Sequence, residues 1–415
     1  MAESQHHRIV IIGGGCAGIT VAASLKRRDA DLDIAIVEPS DEHYYQPAFT
    51  LVGAGTYKLA STRRAENNLI PDGVKRVKDS AVSFDPDNKS VGLASGGSLG
   101  YEYLVVCPGL QLNWSAVDGL SEALGSGGVC SNYSADTVEY TWECIKSLKA
   151  GSTVLFTQPA MPIKCPGAPQ KIAYLASDHL RKHRLLESCH VHFLPQGPAM
   201  FSVPFFAAAL DKVAARYGID VHFQHNLASV NADAKQATFN VVGGDNEGTS
   251  VSLDYDMIHV TPPQGPPDFV KGSPLANEAG WIEADQNTMQ HPRYENVFSL
   301  GDVCSTPNSK TAAAIRKQAP VVVRNLMHLI EASEVEKGYD GYASCPLTTA
   351  YGKVMMAEFV YGGKVTPTFP VDPRKERRSY WWIKKTGLPH MYWDYMLKGH
   401  EWFKGHDTDY VEPAA

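Results

Sequence analysis

Lys164 and Cys165 stand side by side in a proline-rich loop between a short apolar strand and a helix, within VLFTQPAMPIKCPGAPQKIAYL. In a chain with two dinucleotide-binding units, a second glycine-rich phosphate loop is expected at this place. A pyrophosphate needs glycines there, because only backbone without a Cβ lets it approach, and prolines lack the N–H groups that would hold it. A thiol beside a lysine at a helix N-terminus has a lowered pKa. We therefore interpret the loop as a nicotinamide site converted into a cysteine site, with Cys165 as its reactive residue.

A first phosphate loop is intact near the N-terminus, where GGGCAG follows a short apolar strand. Its glycines, Gly13, Gly15 and Gly18, have the GxGxxG spacing, and the helix after them leads to a second apolar strand that ends in Glu38. These glycines allow a tight turn, close approach of a phosphate and close packing of helix on strand, while the acid binds a ribose hydroxyl. A glutamate at this position favours a free 2′-hydroxyl, so the sequence predicts FAD or NAD.

The distal half of the chain favours FAD. An apolar strand ends in Pro108-Gly109, where flavoproteins with two dinucleotide-binding domains return to the FAD domain, and NVFSLGD later delivers Gly301-Asp302 to the ribityl chain. The helix after that aspartate would direct its positive end at the flavin. Gln46, in HYYQP, is expected over the flavin region, although an ordinary surface loop explains that stretch equally well.

The order of elements predicts an α/β fold with two Rossmann-like dinucleotide-binding domains, of the FAD/NAD-linked disulfide reductase type. A second βαβ region begins at residue 151, with a helix at 134–148 capped by Ser134 before it, and Pro262–Pro267 returns the chain to the FAD unit. The expected domains are the FAD-binding domain in two parts (1–110 and 266–332), the second Rossmann-like domain (111–265) and a C-terminal domain (333–415).

The C-terminal domain is expected to associate with a membrane. A basic run at 374–378 precedes a dense set of aromatic and apolar residues, which suits an amphipathic element in a bilayer interface. The alternative is a C-terminal helix packed on the protein or on a dimer face. The apolar set comprises Tyr380, Trp381, Trp382, Ile383, Leu388, Met391, Tyr392, Trp393, Tyr395, Met396, Leu397 and Trp402.

Composition excludes several other classes. The chain has 415 residues and a net charge of −7, which argues against a nucleic-acid partner. No apolar run is long enough for a membrane-spanning helix, and the N-terminus enters its first strand without a signal or transit segment. The eight cysteines include no CxxC pair, so no metal site is predicted, and most of them are expected to be small packing residues.

Six stretches, spread in order over nearly the whole chain, resemble the sulfide:quinone oxidoreductase family, most closely its animal mitochondrial type and bacterial relatives. They are HYYQPAFTLVGAG, GVCSNYSADTVE, IKCPGAPQKIAYL, HVTPPQGPPD, SLGDVCSTPNSKTAAA and YASCPLTTAYGKVMMAEF. The resemblance implies a monotopic flavoprotein with non-covalent FAD, on a bacterial plasma membrane or the mitochondrial inner membrane. It also implies a redox pair of Cys165 and Cys345, joined as a disulfide at rest, and places Lys310 near the flavin. The roles of Cys130 and Cys304 stay open.

By this resemblance the protein oxidises hydrogen sulfide through FAD and reduces ubiquinone, and Cys345 holds a persulfide. Glutathione, sulfite or a second sulfide would then remove the sulfane sulfur. One rival is a type II NADH:quinone oxidoreductase, which needs the glycine-rich second loop that this chain lacks. Another is a flavin-binding redox sensor without turnover, whose C-terminal aromatic residues would form a protein interface. The preferred acceptor and a homodimeric state are left open.

Overall fold

The computed structural model describes residues 5–401. The strands in chain order are β1 Gln5–Ile12, β2 Ile34–Val37, β3 Glu42–Tyr44, β4 Arg63–Ala65, β5 Val74–Val77, β6 Ala81–Asp85, β7 Ser90–Leu93, β8 Ser98–Val106, β9 Gln111–Leu112, β10 Val129–Cys130, β11 Thr153–Gln158, β12 His190–Pro195, β13 Asp220–Val221, β14 His225–Asn231, β15 Gln236–Val241, β16 Ser250–Asp254, β17 Met257–His259, β18 Gln264–Gly265, β19 Val297–Ser299, β20 Ala343–Ala350 and β21 Lys353–Phe359. The α-helices are α1 Cys16–Arg28, α2 Phe49–Gly53, α3 Leu120–Ala123, α4 Val138–Ser147, α5 Ala168–Lys182, α6 Pro204–Tyr217, α7 Asp268–Lys271, α8 Ala312–Ile330, α9 Arg378–Trp382 and α10 Leu388–Asp394.

The first sheet has the order β5-β2-β1-β8-β7-β6, with β19 also paired to β8. Its central strands are parallel, and β1 is fully buried from Ile9 to Ile11, as expected where helices cover both faces of a sheet. Helices α1 and α8 pack against each other. Because β19 returns to this sheet late in the chain, it carries Gly301 and Asp302 to the edge where α1 begins.

The second sheet is also parallel, with the order β10-β17-β11-β12-β13, and a separate antiparallel sheet of β14, β15 and β16 adjoins it. The predicted helix at 134–148 is shorter than expected. Ser134 does not cap it, since its hydroxyl accepts the N–H of Asp136 in a turn before the helix, and Thr137 is the residue that precedes α4. A serine followed closely by an aspartate favours such a local turn over a helix start.

The C-terminal segment begins with the hairpin of β20 and β21, and β20 packs against α5. After α9 the chain forms a π-helical turn at Ile383–Gly387, then α10 and a final 3₁₀ turn at Met396–Lys398. Within residues 5–401 no helix is both long enough and apolar enough to cross a membrane.

The aromatic residues of this segment divide into two groups. Tyr380 and Tyr392 are buried in the protein, whereas the Trp382 side chain is 63% exposed and Tyr395 is also exposed. Part of the segment is therefore packed on the protein and part of it is exposed, while its association with a membrane stays a prediction. Trp402 lies outside the described residues. The basic run is not a free cationic face, because Glu376 lies within it and pairs with Arg216 over 2.7 Å.

Candidate active site

Cys165 lies in the loop between β11 and α5, where the backbone is tied to a distant part of the chain. Its N–H donates to the carbonyl of Lys310 over 2.8 Å, and the N–H of Lys164 donates to Gln264 Oε1 over 2.8 Å. Cys165 has a φ of +51°, a left-handed conformation that is uncommon for a residue with a Cβ. Such backbone strain clusters at functional sites, because the surrounding structure must hold it in place.

Cys345 reaches the same place from β20. The two sulfur atoms are in hydrogen-bond contact, both residues are thiols in this structure, and Cys345 is 1% exposed. A Cβ on Gly167 would lie 2.6 Å from Cys345 Sγ and 2.5 Å from Leu347 Cδ2, so only glycine at this position lets the strand approach the loop. The structure therefore brings together the two cysteines that the family motifs pair, while the disulfide between them stays a prediction.

Two buried lysines, which the sequence reasoning did not single out, face this pair. Lys171 Nζ donates to Cys165 Sγ over 3.1 Å from the first turn of α5, and Lys384 comes from the π-helical turn of the C-terminal segment. Both side chains are at least 95% buried. Lys171 lies in the family motif IKCPGAPQKIAYL, so the sequence offered a signal for its role. Lys384 had no such local signal, because its partners lie far away in sequence.

These contacts set the protonation of the pair. The hydrogen bond from Cys345 and the charges of Lys171 and Lys384 hold the pKa of the Cys165 thiol well below its usual range, although burial opposes them. The hydrogen bond to Cys165, together with burial, raises the pKa of Cys345. Burial and the charge of Lys171 lower the pKa of Lys384 to about 7. The arrangement favours one thiolate, at Cys165, beside a protonated thiol.

The first phosphate loop has the shape that a dinucleotide requires. A Cβ on Gly13 would lie 2.6 Å from the carbonyl of Cys107, and one on Gly18 would clash with the carbonyl of Gly13. Gly15, in contrast, faces open space at the N-terminus of α1, where a pyrophosphate would lie. Glu38 accepts the N–H of Gly14 over 2.8 Å, and burial raises the pKa of its carboxyl. The residues present therefore fit the predicted dinucleotide.

The predicted flavin residues converge beside the cysteine loop. Lys164 Nζ donates to Gln46 Oε1 over 2.7 Å, and both Lys164 and Lys310 interact electrostatically with Asp302, which is partly buried. Burial raises the pKa of Asp302 and lowers those of the two lysines, that of Lys164 to about 8. Lys310 Nζ donates to the carbonyl of Cys304 over 3.0 Å.

The remaining predicted residues lie at the phosphate-loop end of the same region. Gly301 has a φ of +78° and follows β19, so the turn into Asp302 requires glycine. A Cβ on Gly13 would lie 2.8 Å from Pro108 Cα, which shows that the turn after β8 lies directly against the first phosphate loop. Gly109, with a φ of +78°, faces open space there. Two lysines and one aspartate thus surround a region bounded by the phosphate loop and the cysteine loop.

Comparison with known proteins agrees with this geometry. The family described as pyridine nucleotide-disulphide oxidoreductase matches residues 7–141. The mitochondrial sulfide:quinone oxidoreductase of Dictyostelium discoideum is 46% identical over 398 residues, which cover 95% of this chain and 87% of that protein. The mitochondrial sulfide:quinone oxidoreductase of Mus musculus is 40% identical over 396 residues, with the same two coverages.

The solved structure of the sulfide:quinone oxidoreductase from Aquifex aeolicus has a TM-score of 0.79 against this chain. The similarity covers 96% of this chain and 92% of that one at 19% identity, so it bears on the fold alone. It confirms the predicted fold of two dinucleotide-binding domains. The identity and coverage of the sequence relatives confirm the resemblance found in the motifs: this chain belongs to the sulfide:quinone oxidoreductase family.

Proposed function

We propose that the protein oxidises hydrogen sulfide and transfers the electrons to ubiquinone, with Cys165 and Cys345 as the catalytic residues. The observation that carries this proposal is the contact between two thiols of opposite pKa shift, beside two buried lysines, on the loop that replaces a nicotinamide site. An exchange reaction needs an accessible or activated sulfur of this kind, whereas a structural cysteine pair does not need a charged partner.

In the reaction that we propose, hydrosulfide attacks a disulfide between the two cysteines. A sulfur–sulfur bond forms at Cys345 and the bond to Cys165 breaks, which leaves a persulfide on Cys345 and a thiolate on Cys165. Lys171 stabilises that thiolate through its hydrogen bond to Sγ. A sulfane-sulfur acceptor such as glutathione, sulfite or sulfide then takes the outer sulfur of the persulfide and restores the Cys345 thiol. Cys165 and Cys345 close to the disulfide again, and the two electrons released would pass to bound FAD and from it to the quinone.

The cofactor is proposed to be non-covalent FAD. Gly13, Gly15 and Gly18 would hold its pyrophosphate at the N-terminus of α1, and Glu38 would accept from the adenosine ribose. Gly301 and Asp302 would contact the ribityl chain. The donors Lys164 and Lys310, with Gln46, would orient the ring system beside Cys165. Pro108 and Gly109 would let the backbone approach the cofactor closely.

We also propose that the protein binds a membrane surface, either a bacterial plasma membrane or, as in its mitochondrial relatives, a membrane of the mitochondrion. Among the described residues of the C-terminal segment, Trp382 is the most exposed large apolar side chain, and Lys385 follows it one turn later. Deleting the whole C-terminal segment would not test this, because it would also remove the buried Tyr392 and Leu397. Trp382→Ala is expected to weaken liposome flotation, and Val82→Ala, another exposed apolar site, should leave it unchanged.

The domain roles follow from the same argument. We assign FAD binding to 1–110 and 266–332, the first redox cysteine to 111–265, and the second to the C-terminal part, 333–415. The quinone would enter beside the exposed face of the C-terminal segment.

The deciding experiment is anaerobic addition of sulfide to the purified, FAD-loaded protein, followed by ubiquinone, with flavin absorbance recorded throughout. Sulfide should bleach the flavin and quinone should restore its colour, while excess NADH should do neither. Bleaching by NADH and not by sulfide would favour the type II NADH:quinone oxidoreductase. Bleaching by sulfide without recovery on addition of quinone would favour the redox sensor.

A further inference from the structure

Trp281 stands in a tight turn that hydrogen bonds hold from two sides. Its N–H donates to Asn277 Oδ1 over 3.0 Å, and its carbonyl accepts the N–H of Asn277 over 2.8 Å. The next residue, Ile282, donates its N–H to the carbonyl of Val303 over 3.1 Å. The turn is therefore anchored to the segment that follows β19 and carries Asp302.

The Trp281 ring covers the ammonium group of Lys310. Lys310 Nζ lies 4.2 Å from the centre of the ring and donates to the carbonyl of Cys304 over 3.0 Å. Lys310 is 5% exposed, whereas Trp281 is partly exposed, so the ring helps to shield the ammonium group from solvent. The electron-rich face of an indole attracts a cation, most strongly where water is excluded. Trp281 therefore stabilises the charged form of this lysine.

Lys310 has no carboxylate partner at close range. Among residues 5–401 it forms no ion pair, and Asp302 acts on it only over a longer distance. Burial lowers the pKa of Lys310, while the charges of Asp302 and Cys304 oppose that effect. The other titratable side chain nearby belongs to Lys164, whose backbone pairs with that of Lys310. The contact with the indole ring thus has an unusually large share in keeping this amine protonated.

Lys310 also connects the contact to both parts of the proposed active site. Its carbonyl accepts the N–H of Cys165 over 2.8 Å, and its side chain lies within the electrostatic reach of Asp302. A positive charge near the ring nitrogens of a flavin stabilises the negative charge of the reduced cofactor. We propose that Trp281 is a positioning residue of this reaction, whose ring keeps the Lys310 ammonium group charged beside the cofactor. This inference rests on the proposed FAD site.

NMR of the full-length protein with isotope-labelled lysine tests the contact without depending on FAD. The Lys310 signal is the one that Lys310→Met removes. Its Cε protons should be shifted upfield by the indole ring, and Trp281→Leu should abolish that shift. The amine should also titrate at lower pH in Trp281→Leu, because its charged form has lost a partner. An unchanged Lys310 titration in that variant, or no upfield shift in the unmodified protein, would overturn the proposal.

The effect on the cofactor is measured as the midpoint potential of the FAD-loaded protein across pH. Trp281→Leu should lower the potential at pH values between the Lys310 titration midpoints of the variant and of the unmodified protein. At lower pH the lysine is charged in both proteins, so the potentials should agree. Trp281→Phe, which keeps an aromatic face, should retain most of the effect. Trp114→Leu is the matched control, since this half-buried tryptophan packs on a different core cluster, and it should leave the potential unchanged.

Lys310→Met separates positioning from a general packing role. In that background Trp281→Leu should cause no further change in potential, because no ammonium group is left for the ring to stabilise. A further fall of equal size would show that Trp281 acts through packing alone, and the proposal would fail. A protein that takes up no FAD would instead refute the proposed function, while the NMR titration still decides the contact between Trp281 and Lys310.

Discussion

Lys171 Nζ lies 3.1 Å from Cys165 Sγ, so a buried ammonium group faces the thiol across the first turn of α5. A lysine at this end of a helix is opposed by the helix dipole, which favours negative charge there. A thiolate on Cys165 offsets that repulsion and the cost of burying the ammonium. Burial lowers the pKa of Lys171, but the charge of the Cys165 thiolate and the hydrogen bonds to both sulfur atoms outweigh it and raise the pKa. The lysine and the thiolate therefore stabilise each other's charged form.

Lys171→Met is expected to raise the pKa of the Cys165 thiol, because the charge and the hydrogen bond that favour the thiolate are lost. The midpoint of the thiolate titration should move to higher pH, and once the pKa exceeds the working pH the thiolate fraction falls about tenfold for each further unit. The measurement is the pH profile of Cys165 alkylation in the reduced protein, resolved by peptide mass. Lys182→Met, on the exposed side of the same helix, should leave the profile in place. An unchanged profile in Lys171→Met would show that the lysine does not control the thiol.

Cys165→Ser, Cys345→Ser and the double variant are expected to lose sulfide-dependent quinone reduction to a similar extent. The two sulfurs act in one exchange step, so removal of either one removes the same step. FAD content should stay normal, since the phosphate loop and Glu38 lie elsewhere. Cys16→Ala is the matched control for a packing cysteine, and it should keep most of the activity. Near-normal turnover in Cys345→Ser would show that Cys165 uses another partner.

The sequence predicted the parts of the site that depend on local spacing. The first phosphate loop was recognisable because its three glycines, Gly13, Gly15 and Gly18, lie within one turn. Cys165 was recognisable because the loop around it lacks the glycines expected of a second phosphate loop. Lys384 could not be found in this way. It lies in a segment whose basic and aromatic residues indicated a membrane face, and only the packing of that segment turns this side chain towards the cysteines.

Local spacing could not identify Cys345, because β20 reaches the site from a distant part of the chain. The family motifs identified it instead. The hydrogen bond of Tyr392 to His43 had no sequence signal of either kind, since it depends on how the C-terminal segment docks. Aromatic residues of the C-terminal segment therefore lie partly in the core and partly on the surface, and only tertiary contacts decide which residue lies where. This is why the aromatic set was predicted as one surface and is found as two groups.

Lys384 is expected to make folding stability depend on pH. Its pKa is lowered from 10.5 to about 7 in the folded protein, chiefly by burial, so between those values the unfolded chain binds a proton that the folded chain does not. Stability therefore rises with pH in that window, and below pH 7 the folded protein bears the full cost of the buried charge. Lys384→Met removes this cost. It should stabilise the reduced protein more at pH 6 than at pH 9, by a difference of roughly 1–3 kcal/mol.

The measurement is denaturant unfolding of the reduced protein and of Lys384→Met at both pH values. Lys385→Met is the control, because this neighbouring side chain is only partly buried and should change stability equally at the two pH values. Equal stabilisation by Lys384→Met at pH 6 and pH 9 would contradict a depressed pKa for Lys384.

The end of the C-terminal segment is held against β3 by a buried chain of hydrogen bonds. His43 Nδ1 lies 3.2 Å from Glu66 Oε2, and His43 Nε2 lies 2.5 Å from the Tyr392 hydroxyl. Because Nδ1 faces a carboxylate, it carries the ring proton, and Nε2 accepts from Tyr392. The segment then follows α1, where Met396 contacts Cys16.

Tyr392→Phe is expected to loosen this segment, because it leaves the buried Nε2 of His43 without a donor. The cost of an unsatisfied buried acceptor is about 1–3 kcal/mol. Since proteolysis of a locally opened segment follows the population of the open form, tryptic cleavage after Lys398 should be about tenfold faster for each 1.4 kcal/mol lost. His390→Gln, which removes an exposed contact with Asp394 in the same helix, should have little effect on the cleavage rate. If cleavage after Lys398 is as slow in Tyr392→Phe as in the unmodified protein, contacts other than this hydrogen-bond chain hold the segment in place.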